Sequence, residues 1–429
     1  MNPINFTEAR HLLSRTGLGV EWSVIQQLVG ESTRSEAVDK LIQTYSPQTN
    51  NAPRLTPLNK MDRLTQSGAR GKKLMHTVMM RENDVLKKWW VKQMLTTTSP
   101  LTERMTLFWH NHFTSSLATV KRPQLLLNQN KLLRQFGLGN FAVMLMYMTS
   151  DPAMLLYLDG DKNVAGSPNE NFARELLELF TLGHGHYAEA DVKAAALAFT
   201  GWGVDHRSGK FSFKSELHDG RHLRFLGETG SFNGNDILKI ILKQPRTAEH
   251  IAEKFWKVFV NLERPDPRVI RQWGNVFRDS SYEISALLKA VLNSDVFWAE
   301  ENRGALIKSP IELMVGTMRT MPHRSLSVKE IMHTSRILGQ DLFDPPNVKG
   351  WAGGKDWIST QSLLVRTSLQ RKMSHDANIK AMARHFPKSP QETLQQWLLP
   401  HSPVLPASRR KGELWFVQNL MFDPGYQLA

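Results

Sequence analysis

Only two short runs in this 429-residue chain have the look of β-strands, Lys210–Lys214 (KFSFK) and Arg224–Leu226, and they lie close together. Nearly everything else repeats apolar residues at helical spacing between helix start and stop signals. The contrast predicts an all-α protein, a large multi-helix bundle with a small β-hairpin-like insertion around 209–227. The intervening Ser215–His222 (SELHDGRH) would form the hairpin turn or a folded loop. Start signals recur at Ser99-Pro100, Asp151-Pro152 and Ser309-Pro310, each a capping residue before a proline that suits a first turn. A polar, proline-bearing stretch at 46–59 (SPQTNNAPRLTPLN) reads as a linker-like loop within one helical domain over 1–380. Residues 381–429 read as a C-terminal helical extension packed on that domain.

Composition narrows the function classes. Twelve Trp and 20 Phe supply a real core, and the absence of cysteine rules out disulfides, thiolate metal sites and cysteine nucleophiles. No window approaches the ~20 apolar residues of a transmembrane segment. The net charge of +14 attracts something acidic, whether nucleic acid, an acidic polymer or glycan, or a membrane surface. The excess is diffuse: its densest clusters, Arg70–Lys73 and Ser408–Lys411, are short, and no basic stripe interleaved with aromatics is visible. The N-terminus shows no basic leader followed by an apolar run, so cytoplasmic residence is expected.

The densest polar stretch is Asn169–Trp202 (NENFARELLELFTLGHGHYAEADVKAAALAFTGW). With Ser167 as N-cap and Pro168 in the first turn, Asn171, Arg174, Glu175, Glu178 and Thr181 share an arc of about 120°. Gly183 and Gly185 then stop the helix. Two readings stand open. In one, this is a solvated face with Arg174–Glu178 as an i,i+4 pair. In the other, Glu175 and Glu178 act as acid and base or hold a divalent metal. His184 and His186, one turn later, are further candidate ligands.

Three other segments bear on a site. In the helix opened by Ser99-Pro100, His110 and His112 stand about 200° apart, which places one against the core and the other at a cleft. Glu103 and Asn111 add to its polarity. The loop Asp344–Trp357 (DPPNVKGWAGGKDW) is stiffened by prolines, bent at glycines and furnished with Trp351 and Trp357, which either stack on a sugar or cap the core. His218 and Asp219, near the strand-like runs, either project into the central site or sit on an exposed loop.

Four blocks read together resemble a large bacterial family known only as a domain of unknown function, the one numbered eighteen hundred. They are RHLLSRTGLG (Arg10–Gly19), ERMTLFWHNHF (Glu103–Phe113), the Asn169–Trp202 stretch, and DPPNVKGWAGGKDWISTQSLLVR (Asp344–Arg366). The resemblance runs from about Ala9 to Arg371. It implies polar positions at His110, His112, Asn171, Arg174, Glu175, Glu178, Asp191, Trp202, His218 and Asp219. It also implies, from many members, export behind a twin-arginine type leader and a gene neighbour encoding a sulfatase-like protein. This chain begins within ten residues of the family block, so the expectation is cytoplasmic, or periplasmic by co-export with a partner.

Three functional readings follow. The first is an enzyme, a metal-dependent hydrolase or oxidoreductase acting on a glycan or envelope polymer. Its catalytic groups would be Glu175, Glu178, Arg174, His112 and Asn171, and its metal ligands Glu175, Glu178, His110 and His218. Trp202, Trp351, Trp357 and Asp219 would bind substrate. The second is a non-catalytic partner or maturation factor for the sulfatase-like protein. The third, a nucleic-acid binder, rests on net charge alone.

Overall fold

The computed structural model describes residues 3–321, 326–376, 391–405 and 412–429. Helices carry these residues, interrupted by two small antiparallel sheets of two strands each. Buried apolar side chains form one continuous cluster, from Ala9 and Leu12 of the first helix (Phe6–Thr16) to Phe416 and Leu420 of the last (Glu413–Phe422). The two ends of the chain meet. The Trp397 indole donates to the Val20 carbonyl (2.9 Å), and Arg10 Nε donates to the Trp397 carbonyl (3.2 Å). The cluster Ser408–Lys411 and the boundary at 380/381 lie outside the described residues.

Local signals in the sequence act as expected at two of the proline-marked starts. Asp151 accepts from the Met154 N–H (2.9 Å), and Ser309 forms a reciprocal capping box with Glu312. Ser99 precedes the Pro100–His112 helix but makes no side-chain cap; its hydroxyl bonds the Thr102 hydroxyl instead (2.7 Å). The 46–59 loop is no free linker. Gln93 and Trp89 both donate to the Asn50 carbonyl, and the Thr56 N–H donates to Glu82, so the loop is laced to the long Gly68–Thr96 helix.

Glu103, a polar residue of the Pro100–His112 helix, is part of the framework. Its carboxylate is buried against the Arg134 guanidinium in a two-pronged ion pair and also accepts from the Trp90 indole (3.0 Å). Removing one partner of such a pair strands the other without water. Glu103→Ala is therefore expected to cost about 3–5 kcal/mol in urea unfolding. A loss under about 1 kcal/mol would show that Arg134 finds another acceptor.

Both strand-like runs are strands, but they do not pair with each other. Lys210–Phe213 pairs with Trp202–Asp205, and Leu223–Phe225 pairs with Glu228–Gly230, so the insertion is two hairpins over 202–230. The second turns at Leu226 and Gly227, both in the left-handed region (φ 45° and 86°), as a two-residue hairpin turn requires. A leucine is a poor signal for that conformation. It is held there by Asp191, which accepts from the Leu226 N–H and from the Ala188 N–H, each at 2.8 Å.

Candidate functional site

The central helix begins two residues later than its sequence suggests. Asn169, not Ser167, is the N-cap, accepting from the Asn171 N–H (2.9 Å), and the α-helix runs only Glu170–Glu175. Leu176–Thr181 then continues as a π-helix, with one extra residue in the turn. The Thr181 hydroxyl donates to the Leu176 carbonyl (2.6 Å), and the Leu182 N–H reaches back to Leu177 (2.9 Å).

A buried helix end leaves carbonyls without partners. Here three of them are met by side chains from other helices. His112 Nε2 donates to the Phe180 carbonyl (3.2 Å), His250 Nε2 to that of Leu179 (3.1 Å), and Arg246 Nε to that of Leu182 (2.9 Å). Gly183 (φ 85°) completes the stop; a side chain there would collide with the His250 ring. Both histidines thereby hold their proton on Nε2, with burial the main cause pushing their pKa values down, that of His250 to about 3. His250, which no local pattern in the sequence marks, is the clearest omission from the sequence reading.

Glu175 ends the α-helix just before this irregularity, and Glu178 lies within it. Burial, then the neighbouring Glu178 charge, raises the Glu175 pKa, while Lys349 and Arg174 oppose the shift. Glu178 accepts from the Tyr187 hydroxyl (3.0 Å), and that phenol is pushed up to about 12 by burial and by this bond. Tyr157, also raised by burial, feels the charges of Asp344 and Glu175. Glu175 thus feels the charges of Glu178, Lys349 and Arg174. Exposed His184 stands 3.9 Å from the Glu178 carboxylate.

The other expected site residues divide among different places. Arg174 does not pair with Glu178. It is clamped between Glu170 (3.0 Å) and Glu189, tying two helices together. Asn171 donates to the Leu158 carbonyl (3.1 Å). His110 faces the core, boxed by Trp90, Phe343 and Trp351, and burial lowers its pKa to about 3. His218 donates to the Thr200 carbonyl (3.0 Å) and stands edge-on to Phe213; Asp219 pairs with Arg221 (2.6 Å). With Trp202, His218 lines a groove on the hairpin face. The four metal candidates Glu175, Glu178, His110 and His218 are therefore not gathered, and among the described residues no three His, Asp or Glu side chains are grouped to hold a metal ion.

Trp351 and Trp357 line a cleft of about 330 Å³ between the Pro100–His112 and Pro245–Phe259 helices. His112, Asn111 and Lys349 share it. Asn111 clasps the Gly-Trp loop, accepting from the Trp351 N–H (2.7 Å) and donating to its carbonyl (3.4 Å). Gly350 permits that approach. Its φ is 80°, and a Cβ would lie 2.2 Å from Asn111 Oδ1. Gly350→Ala is expected to detach the loop and cost about 1–3 kcal/mol, read as a lowered Tm and a shifted Trp fluorescence. An unchanged Tm would mean the loop is not held by this contact.

The protein is a mostly helical fold with two small hairpins, in which Glu175 and Glu178 stand at a π-turn and two tryptophans line a cleft. The chain belongs to the family described as a protein of unknown function (DUF1800), whose model matches residues 11–428. That match includes the C-terminal helices beyond Arg371. No curated protein and no solved structure matches the chain. Among the described residues, no helix is long and apolar enough to cross a membrane.

Proposed function

We propose that this protein is an enzyme acting on a glycan or envelope polymer by acid–base catalysis at Glu175 and Glu178. The observation that carries the reading is the unequal surroundings of the two carboxyl groups on one π-turn. Glu175 is partly buried and holds its proton to higher pH, as a general acid does; Glu178 is an acceptor oriented by the Tyr187 hydroxyl, as a general base is. Proton donation by Glu175 to a leaving oxygen, with water activated by Glu178, would hydrolyse a glycosidic or ester bond. Lys349, which both lines the tryptophan cleft and acts on Glu175, joins the proton-transfer pair to that cleft.

The test is product release from a panel of bacterial envelope polymers and acidic glycans, followed as new reducing ends or released acid. Parent protein is expected to act on at least one of them, with Glu175→Gln and Glu178→Gln folded but inactive. Equal activity in both variants would end the acid–base reading.

A second reading, a non-catalytic partner of a sulfatase-like protein, draws on a different face. Val143, Met146 and Tyr147 on one helix and Phe211 and Phe213 on the first hairpin line a wide groove and are exposed, Met146 by 46% and Phe213 by 48%. Apolar patches of this kind mark association surfaces. Co-purification with such a partner, lost in Phe211→Ser/Phe213→Ser and kept in Glu175→Gln, would favour it.

A further inference from the structure

The tryptophan cleft has an electrostatic character that the carboxylate pair does not explain. Four side chains on its walls are cationic, Arg104, Lys254, Lys257 and Lys349, against one acidic side chain, Glu312, and the backbone carboxylate of Ala429. Glu312 is already committed, to the Arg104 guanidinium and to the Ser309 N–H (2.7 Å). Lys254 is half-buried, and its pKa is lowered by that burial and by Lys257; Lys257 and Lys349 are exposed. Glu253, its neighbour in sequence, is bound to Arg246 by two hydrogen bonds of 2.6 and 2.7 Å. Among the described residues, no carboxylate lies within ion-pair distance of the Lys254, Lys257 or Lys349 ammonium groups.

Polar atoms on the same walls are also left over. Arg104 Nε, His112 Nδ1 and Trp351 Nε1 are buried without a hydrogen-bond partner. His112 is only 7% exposed, and its other nitrogen is spent on the Phe180 carbonyl. Buried donors without partners are costly, and a cleft keeps them where a ligand supplies the missing acceptors. Three ammonium groups, a guanidinium N–H and an indole N–H call for an anion with several oxygens. His112 adds a constraint. With its proton on Nε2, Nδ1 is an acceptor, so the matching ligand also brings an O–H. Hydrogen phosphate and a singly protonated phosphate ester have both features; sulfate has no donor.

We infer that this cleft binds the phosphate group of a phosphorylated sugar, with Lys254 as the central countercharge and the sugar ring lying towards Trp351 and Trp357. The inference rests on the acid–base reading only in making that sugar the enzyme's substrate; the binding itself is independent of turnover.

Titration calorimetry at fixed ionic strength tests it, with inorganic phosphate, a hexose monophosphate, inorganic sulfate and the unphosphorylated hexose as probes. Constant ionic strength matters because exposed charges are screened by salt. The expected result is binding of inorganic phosphate, at least tenfold tighter binding of the hexose phosphate with a change in Trp fluorescence, and weaker binding of sulfate. Lys254→Met, which keeps the side chain's bulk, is expected to weaken both phosphates at least tenfold, and Lys257→Met to weaken them less. Failure of both phosphates to bind at millimolar concentration overturns the inference, as does binding that Lys254→Met leaves unchanged. Binding without turnover leaves this site standing while the enzyme reading falls; turnover without phosphate binding does the reverse.

Discussion

Acidification from pH 6.5 towards 4 is expected to unfold this protein over a narrow range. Four histidines, His11, His110, His112 and His250, are buried and held neutral, three with pKa values near 3 and His112 also well below the ordinary 6.5. Burial is the leading cause in each case. In the unfolded chain the same rings take up protons near pH 6.5, whereas the folded chain refuses them until far lower pH. The unfolded state therefore binds more protons throughout this window, and stability rises with pH across it. Each histidine contributes up to about 1.4 kcal/mol per pH unit, set against a total stability of about 5–15 kcal/mol for a typical domain. Asp151, raised to about 6 by burial, and Glu175 work in the opposite direction and remove part of the slope. Circular dichroism and intrinsic fluorescence against pH at low salt check this. A fold unchanged at pH 4 would mean the rings are reached by water or compensated on protonation.

Glu175→Gln is expected to lower turnover by about 10²–10⁴-fold while leaving the protein folded. The substitution keeps shape and removes the proton that the acid donates. In the parent, the rate falls with rising pH as Glu175 loses its proton, and the limb lies above the ordinary glutamate pKa of about 4.3 because burial and Glu178 raise it. That limb should vanish from whatever activity the variant retains. Stability moves the other way. The folded parent binds the Glu175 proton more tightly than the unfolded chain does, so at neutral pH its ionised carboxylate is a cost. Glu175→Gln is therefore expected to be more stable than the parent near pH 7, and the gain should fade as pH falls through the raised pKa to 4.3. A variant that is less stable at pH 7 would show that Glu175 serves the fold rather than a reaction.

Much of this was legible in single residues. Asp151 and Ser309 could be read as caps because their chemistry acts within one turn, and the 200° between His110 and His112 separated a core ring from a cleft ring. The Glu175–Glu178 face was readable too, but its π-turn was not. Nothing in LLELFT marks an extra residue, because the turn is held by His112, Arg246 and His250 from elsewhere in the chain. The same distance problem misplaced His218, which belongs with Trp202 on the hairpin face, and joined two strands that pair with other neighbours. Lys254 gave no local signal, since its weight comes from the lack of a carboxylate beside it in space.

The π-turn also sets when the carboxylate pair can exist. Its carbonyls depend on donors carried by two helices that are remote from it in sequence, so the turn gains little before those helices dock. The carboxylate pair is thus a late product of assembly, and its amides should exchange with solvent in step with global rather than local opening. Truncated or partly folded chains would carry every residue of the site and none of its geometry, which keeps the chemistry confined to the finished molecule.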